Sequence, residues 1–135
     1  MGKGGFEELV VWQKGKDLAV SIYCLTNAGA FTKDFGLRDQ MRRASVSIAS
    51  NIAEGDERET DKEAIRYFYI SKGSTAELLT QAIIALEIGY LSEQQFLQVQ
   101  DECKIIMKML AALIKARSLK QFMPRPRAQS LEPRA

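Results

Sequence analysis

The chain has 135 residues, 46% hydrophobic and 27% charged, the size and balance of one globular domain that buries its own core. Its formal charge of +2 is uneven: residues 119–135 carry four cations and one acid, whereas residues 1–118 carry 15 Lys and Arg against 16 Asp and Glu. There is no histidine, which removes the commonest general base and metal ligand together, and no apolar run approaches the ~20 residues of a membrane span.

Periodicity is helical throughout. A first helix is expected over residues 6–28, with Leu9, Val11, Leu18, Ile22 and Leu25 on its apolar stripe and Asn27-Ala28-Gly29 as its stop. A connector over residues 30–36 leads to a second helix from Leu37 to Glu54, ended by Gly55. Thr60 to Glu63 reads as a capping box opening the third helix. Its stripe is Ala64, Phe68, Thr75, Leu79, Ile83 and Leu86, and it runs to Ile88 as the longest helix of the chain. Ser92 to Gln95 repeats the box for the fourth helix, with Leu91 and Phe96 as a hydrophobic staple. Phe96, Val99, Cys103, Ile106, Met107, Leu110, Leu113 and Ile114 form its buried stripe. Short loops make neighbouring helices antiparallel, so the expected fold is all-α, an up-down-up-down four-helix bundle over residues 6–118. It is flanked by a disordered N-terminus (1–5) and a mobile basic tail (119–135), where Met123-Pro124-Arg125-Pro126-Arg127 cannot continue a helix.

Cys24 and Cys103 lie within helical patterns and read as small core residues. Ile65, Tyr69, Ile70, Ile84, Ile88, Ile105, Met109 and Ala112 fall outside the main stripes. One bundle buries one face per helix, so this surplus points to homo-oligomerisation.

The second helix carries a polar stripe, Gln40, Arg43, Ser47, Asn51 and Glu54, at spacings of three and four. It is either a solvated face or a hydrogen-bonded seam that aligns helices or subunits, and the seam is the preferred reading because a mid-helix Asn has poor propensity. Arg38, Arg42 and Arg43, with Arg58 and Arg66, form a candidate phosphate-contacting group. Lys104 and Lys108 share a face of the fourth helix with Lys115. Taken singly, each of these cations also reads as a solvated charge paired with a nearby acid. The acids Glu54, Asp56, Glu57, Glu59, Asp61 and Glu63 fit a helix N-terminus better than a Mg2+ site. No catalytic residue, cofactor or metal is expected.

Phe6 to Lys14, the run Arg42-Arg43-Ala44-Ser45 with Asn51-Ile52-Ala53-Glu54-Gly55, Arg58, and Gly73 to Glu77 together resemble the four-helix bundle proteins encoded in intervening sequences of bacterial 23S ribosomal RNA genes. The resemblance covers residues 6–118, with Gly15 standing where the family typically has a helix-favouring Ala. The family is similar in turn to the accessory variability determinant of diversity-generating retroelements. The resemblance implies a homopentameric barrel and a role beside RNA or DNA without a known reaction, while the lack of an apolar signal-peptide core around Met1 to Glu8 makes the cytoplasm the expected compartment. A protein-interaction scaffold with no nucleic-acid contact is the alternative, supported by the near-neutral charge of residues 1–118.

Overall fold

The computed structural model describes residues 5–122, and all regular structure among them is helical. Helix α1 spans Val10–Leu25, α2 Phe35–Asp56, α3 Asp61–Glu87 and α4 Glu93–Phe122. The four pack as a bundle: α2 lies against α1 and α3, α4 lies against α3, and α1 meets α4 along the sparsest of the interfaces. Tyr90, just after α3, bonds Asp34, just before α2, and Arg117 near the end of α4 reaches Asp61 at the start of α3. Such end contacts are those that helices of alternating sense make. Among the described residues no helix is long and apolar enough to cross a membrane.

The first helix starts later than its periodicity suggests. Gly5–Glu8 makes one 3-10 turn, and Leu9 is extended at φ −73° and ψ 126° before α1 begins. The turn is held where it is because Gln13 donates to the Glu7 carbonyl at 2.9 Å and the Phe6 ring meets Trp12 edge-on at 5.2 Å. At the other end Thr26 stops α1 short of Asn27. Its N–H and its hydroxyl both donate to the Ile22 carbonyl, at 2.9 and 2.7 Å, and Gly29 then reverses the chain at φ 64°.

The connector is built, not merely short. Residues 29–33 form a 3-10 turn that buries Phe31 edge-on to Tyr90, ring centroids 5.1 Å apart. Asp34 then caps α2 by accepting from the Leu37 N–H at 3.1 Å, so that helix opens two residues before Leu37. It also runs through Gly55 to Asp56. Gly55 is therefore not a helix stop. A Cβ there would sit 2.7 Å from Cε1 of Phe68, so the glycine is what lets α3 close on α2. Gly15 serves the α1–α2 contact in a milder way, with Cγ2 of Ile48 at 3.2 Å from an added Cβ.

Both capping residues act. The Glu63 N–H donates to Thr60 Oγ1 at 3.2 Å, and Ser92 and Gln95 exchange side-chain-to-backbone bonds of 3.1 and 2.9 Å over the buried pair Leu91 and Phe96. In α4 the buried line is Phe96, Val99, Cys103, Ile106, Leu110 and Ile114, with Met107 and Leu113 half-buried. In α3 the expected stripe slips by one residue after Thr75. Leu78, Ala82 and Ala85 are buried, Leu79 and Leu86 half-buried, and Ile83 exposed. The drift follows from 3.6 residues per turn, and the small side chains on the buried line let α2 and α4 each approach α3. Each fully buried Leu, Ile or Phe, such as Leu18, Ile48 or Phe68, contributes about 1.5–3 kcal/mol.

With 30 residues α4, not α3 with 27, is the longest helix, and it continues four residues past Ser118 to Phe122. The basic tail beyond it, and residues 1–4, lie outside the described residues.

Candidate functional site

Two of the expected arginines are fixed at the start of α2 by what lies beside them. Arg42 donates from Nε to the Thr26 hydroxyl at 2.8 Å, and its guanidinium sits 4.5 Å over the Tyr23 ring. Thr26, itself fully buried, thus both ends α1 and sets the direction of an arginine on α2. Arg38 bonds Asp39 at 3.0 Å and lies 4.5 Å over the Phe35 ring. Arg43 is exposed, about 100° further round the helix from Arg42. All three occupy the first turns of a 22-residue helix, the end at which the backbone dipole is positive.

Arg58 and Arg66 do not join this group. Arg58 is 20 residues beyond Arg38, about 30 Å along the helix axis. It pairs with Glu54 and lies 4.9 Å over Tyr67, with Arg66 5.9 Å from the centroid of the same ring. Their surroundings include Glu57, Glu59 and Glu63, which line one recess with Arg58. Lys104 and Lys108 share a shallow recess with Asp101 and Ile105 on α4, a helix that does not pack on α2. The seven cations of the sequence reading thus fall into three separate places.

The polar stripe of α2 divides as well. Ser47 and Ser74 share a hydrogen bond of 2.8 Å between α2 and α3, and Asn51 donates to the carbonyl and the hydroxyl of Ser47, both at 2.9 Å. Ser71, buried on α3, donates to the Ile48 carbonyl at 2.8 Å. Gln40 is exposed, and Glu54 is exposed and turned to Arg58. Only the middle of the stripe lies at a helix interface.

The acids of the second connector divide between two arginines, Glu57, Glu59 and Glu63 lying by Arg58. Asp56 and Asp61 face Arg117 at 3.6 and 3.3 Å, and among the described residues no three His, Cys, Asp or Glu side chains are placed to hold one metal ion. Arg117 ties the end of α4 to the second connector. Its spacing gave no signal, since its partners are 56 and 61 residues away.

The feature that sequence reading missed is a groove of about 680 Å3 between α1 and α2, lined largely by Phe6, Trp12, Val20, Tyr23, Val46 and Ala53. Cys24 also lines it and is exposed, not a core residue. The buried line of α1 is Val11, Gly15, Leu18 and Ile22, and Cys24 lies off that line, on the side of Val20. Cys103 is buried, and loss of solvation pushes its thiol up to about 12.

An S23 ribosomal family protein of unknown function from Bacteroides thetaiotaomicron has a crystal structure that superposes with a TM-score of 0.73. The identity is 24%, over 78% of this chain and 99% of that one, a likeness of fold. No curated protein matches the chain. The family model of the 23S rRNA-intervening sequence protein matches residues 7–112, a stretch from the 3-10 turn before α1 far into α4. The chain belongs to the 23S rRNA-intervening sequence protein family.

Proposed function

We propose that the protein is a non-catalytic homo-oligomer, most simply a pentamer, that associates with RNA through the arginines at the start of α2. The observation that carries this reading is the open apolar groove between α1 and α2, where Val20 is 57% and Val46 42% exposed. A second copy of the chain covering it would remove that surface from water and would repeat Arg38, Arg42 and Arg43 around a symmetry axis. Five subunits is the number that the resemblance to the retroelement determinant supplies. The RNA association is supported by the family name and by the cationic first turns of α2. The absence of histidine from the sequence supports a non-catalytic role.

The test is the native mass with and without RNA at low salt. The expected particle has five times the mass of the 15.2 kDa chain and gains mass with RNA, with an affinity that falls steeply as salt rises. Replacing Arg42 and Arg43 with Ala weakens that affinity. A monomer at high concentration that forms no RNA complex overturns the proposal. The same groove also suits a protein-interaction scaffold, which a stoichiometric protein partner surviving nuclease treatment, with no RNA complex, would establish instead.

A further inference from the structure

We infer that the RNA taken at the start of α2 is single-stranded, with an unpaired base stacked on Phe35. The inference rests on the RNA association proposed above. Phe35 is the first residue of α2 and is 60% exposed, outside the hydrophobic core. One side of its ring carries the Arg38 guanidinium at 4.5 Å. Tyr23, which belongs to the groove wall, holds the Arg42 guanidinium at 4.5 Å and so fixes a second cation near this end of α2. The exposed Phe35 ring and the held guanidinium groups offer a flat surface and cationic edges together. An unpaired nucleotide uses both, its base against a ring or a guanidinium plane and its phosphate against the cation.

A duplex uses only half of this. Its base faces are hidden in the stack, so phosphate contacts alone would call for cations and leave an exposed phenyl ring without a role. The local charge agrees. Lys33, Arg38, Arg42 and Arg43 stand against two carboxylates, Asp34 and Asp39. Asp34 is engaged by the Leu37 N–H and the Tyr90 hydroxyl, and Asp39 by Arg38. Tyr67, a ring with two nearby arginines, lies by Arg58, whose recess is lined by Glu57, Glu59 and Glu63. Those carboxylates repel phosphate, so the aromatic–arginine pairing alone does not select a site; its combination with net positive charge does, and it selects the start of α2.

The experiment compares binding of an unstructured RNA of about 12 nucleotides with the same strand annealed to its complement, by fluorescence anisotropy at low salt. The protein is the full chain, as wild type, Phe35→Leu and Phe35→Tyr. Leucine keeps the apolar bulk without a π face; tyrosine keeps the face. The single strand should bind more tightly than the duplex. Phe35→Leu should weaken single-strand binding by about tenfold, the scale of one lost base–aromatic stack, and leave duplex binding unchanged. Phe35→Tyr should restore it. Circular dichroism and native mass should match wild type for both variants, because the ring is outside the core. Equal affinity for the duplex, or an undiminished Phe35→Leu, overturns the single-strand inference and leaves the RNA association standing. Binding of neither RNA overturns both.

Discussion

The Tyr90 hydroxyl donates to Oδ2 of Asp34 at 2.9 Å, joining the turn after α3 to the cap of α2 across 56 residues of sequence. The other carboxylate oxygen, Oδ1, accepts from the Leu37 N–H at 3.1 Å. One side chain therefore opens a helix and anchors a distant turn, and the two bonds explain opposite shifts of the two groups. The backbone bond from Leu37, then the bond from Tyr90, holds Asp34 below its ordinary 3.8. The bond to Asp34, followed by burial, holds Tyr90 above its ordinary 10.0.

These directions give a stability profile with two flanks. Asp34 binds its proton less readily folded than unfolded, so its contribution is complete above pH 3.8 and is lost as pH falls through the lower folded value. Tyr90 resists ionisation when folded, so its contribution is complete below pH 10.0 and is lost as pH rises through the higher folded value. Thermal melts of Tyr90→Phe should show a Tm lowered by a few degrees at neutral pH, with the alkaline flank flattened. Asp34→Asn should keep the helix cap but flatten the acid flank. Equal profiles for wild type and both variants would show that the pair contributes nothing.

Two glycines in helices should respond to alanine with opposite signs. At Gly55 the added Cβ meets Phe68 Cε1 at 2.7 Å and the Ala64 carbonyl oxygen at 3.0 Å, and that backbone atom cannot swing aside. Gly55→Ala should destabilise the fold by about 1–3 kcal/mol through overpacking. At Gly73, inside α3, nothing lies within 4 Å of the added Cβ. Gly73→Ala should stabilise by up to about 1 kcal/mol through helix propensity alone. Chemical denaturation of the two variants decides it, and a stable Gly55→Ala would remove the close-approach explanation.

The behaviour of Gly55 shows where the sequence is readable and where it is not. Features set by residues three or four apart were visible: the caps at Thr60 and Ser92, the staple of Leu91 and Phe96, and the buried line of α4. Features set by a partner far along the chain were not. A glycine near the end of a periodic segment reads as a stop, and only Phe68, 13 residues on and on another helix, gives it a different role. Phe31 and Asp34 looked like connector residues because their partner is Tyr90. Cys24 looked like a core residue because type was visible and phase was not, since helix α1 turns Val11, Gly15, Leu18 and Ile22 inward. On the polar stripe of α2, Asn51 stands out by its poor helix propensity and Ser47 by its place one turn before it. The spacing of Arg38 and Arg42 puts these two on one face of α2, with Arg43 about 100° round the axis, but their separation from Arg58 and Arg66 needed the length of α2.

Glu102 carries a cost that a neutral side chain should relieve. Its Oε1 is buried without a hydrogen-bond partner among the described residues. Burial raises its carboxyl above the ordinary 4.5; Gln98 and Lys14 pull the other way, and Asp17 and Asp101 add to the rise. The folded state thus holds this proton more tightly than the unfolded chain. That preference stabilises the fold below pH 4.5 and is lost as pH rises through the folded value, leaving a charged form that is disfavoured at neutral pH. Glu102→Gln should raise neutral-pH stability by less than about 1 kcal/mol, because the site is partly exposed, and should remove this pH-dependent component. A destabilised variant would mean that the carboxylate has an attraction to Lys14 that outweighs its burial.

The groove between α1 and α2 supplies a test of assembly that reads out on a thiol. Val20 and Cys24 lie one helical turn apart on the wall of that groove, and both are exposed in a single chain. If copies meet there, Cys24 is covered in the native particle and reacts slowly with an exposed-thiol reagent. Cys103 stays unreactive in either state, since burial keeps it as the thiol to about 12. Val20→Asp places a carboxylate where the second copy would press. A side chain already 57% exposed should change the stability of one chain by no more than about 0.5 kcal/mol, while an unpaired charge at a packed interface should dissociate the particle. The expected result is a 15.2 kDa species with one fast-reacting thiol per chain, against a larger wild-type particle with none. A Val20→Asp particle of unchanged mass, or a wild-type particle whose Cys24 reacts at once, would place the subunit contact elsewhere on the bundle and free the groove for another occupant.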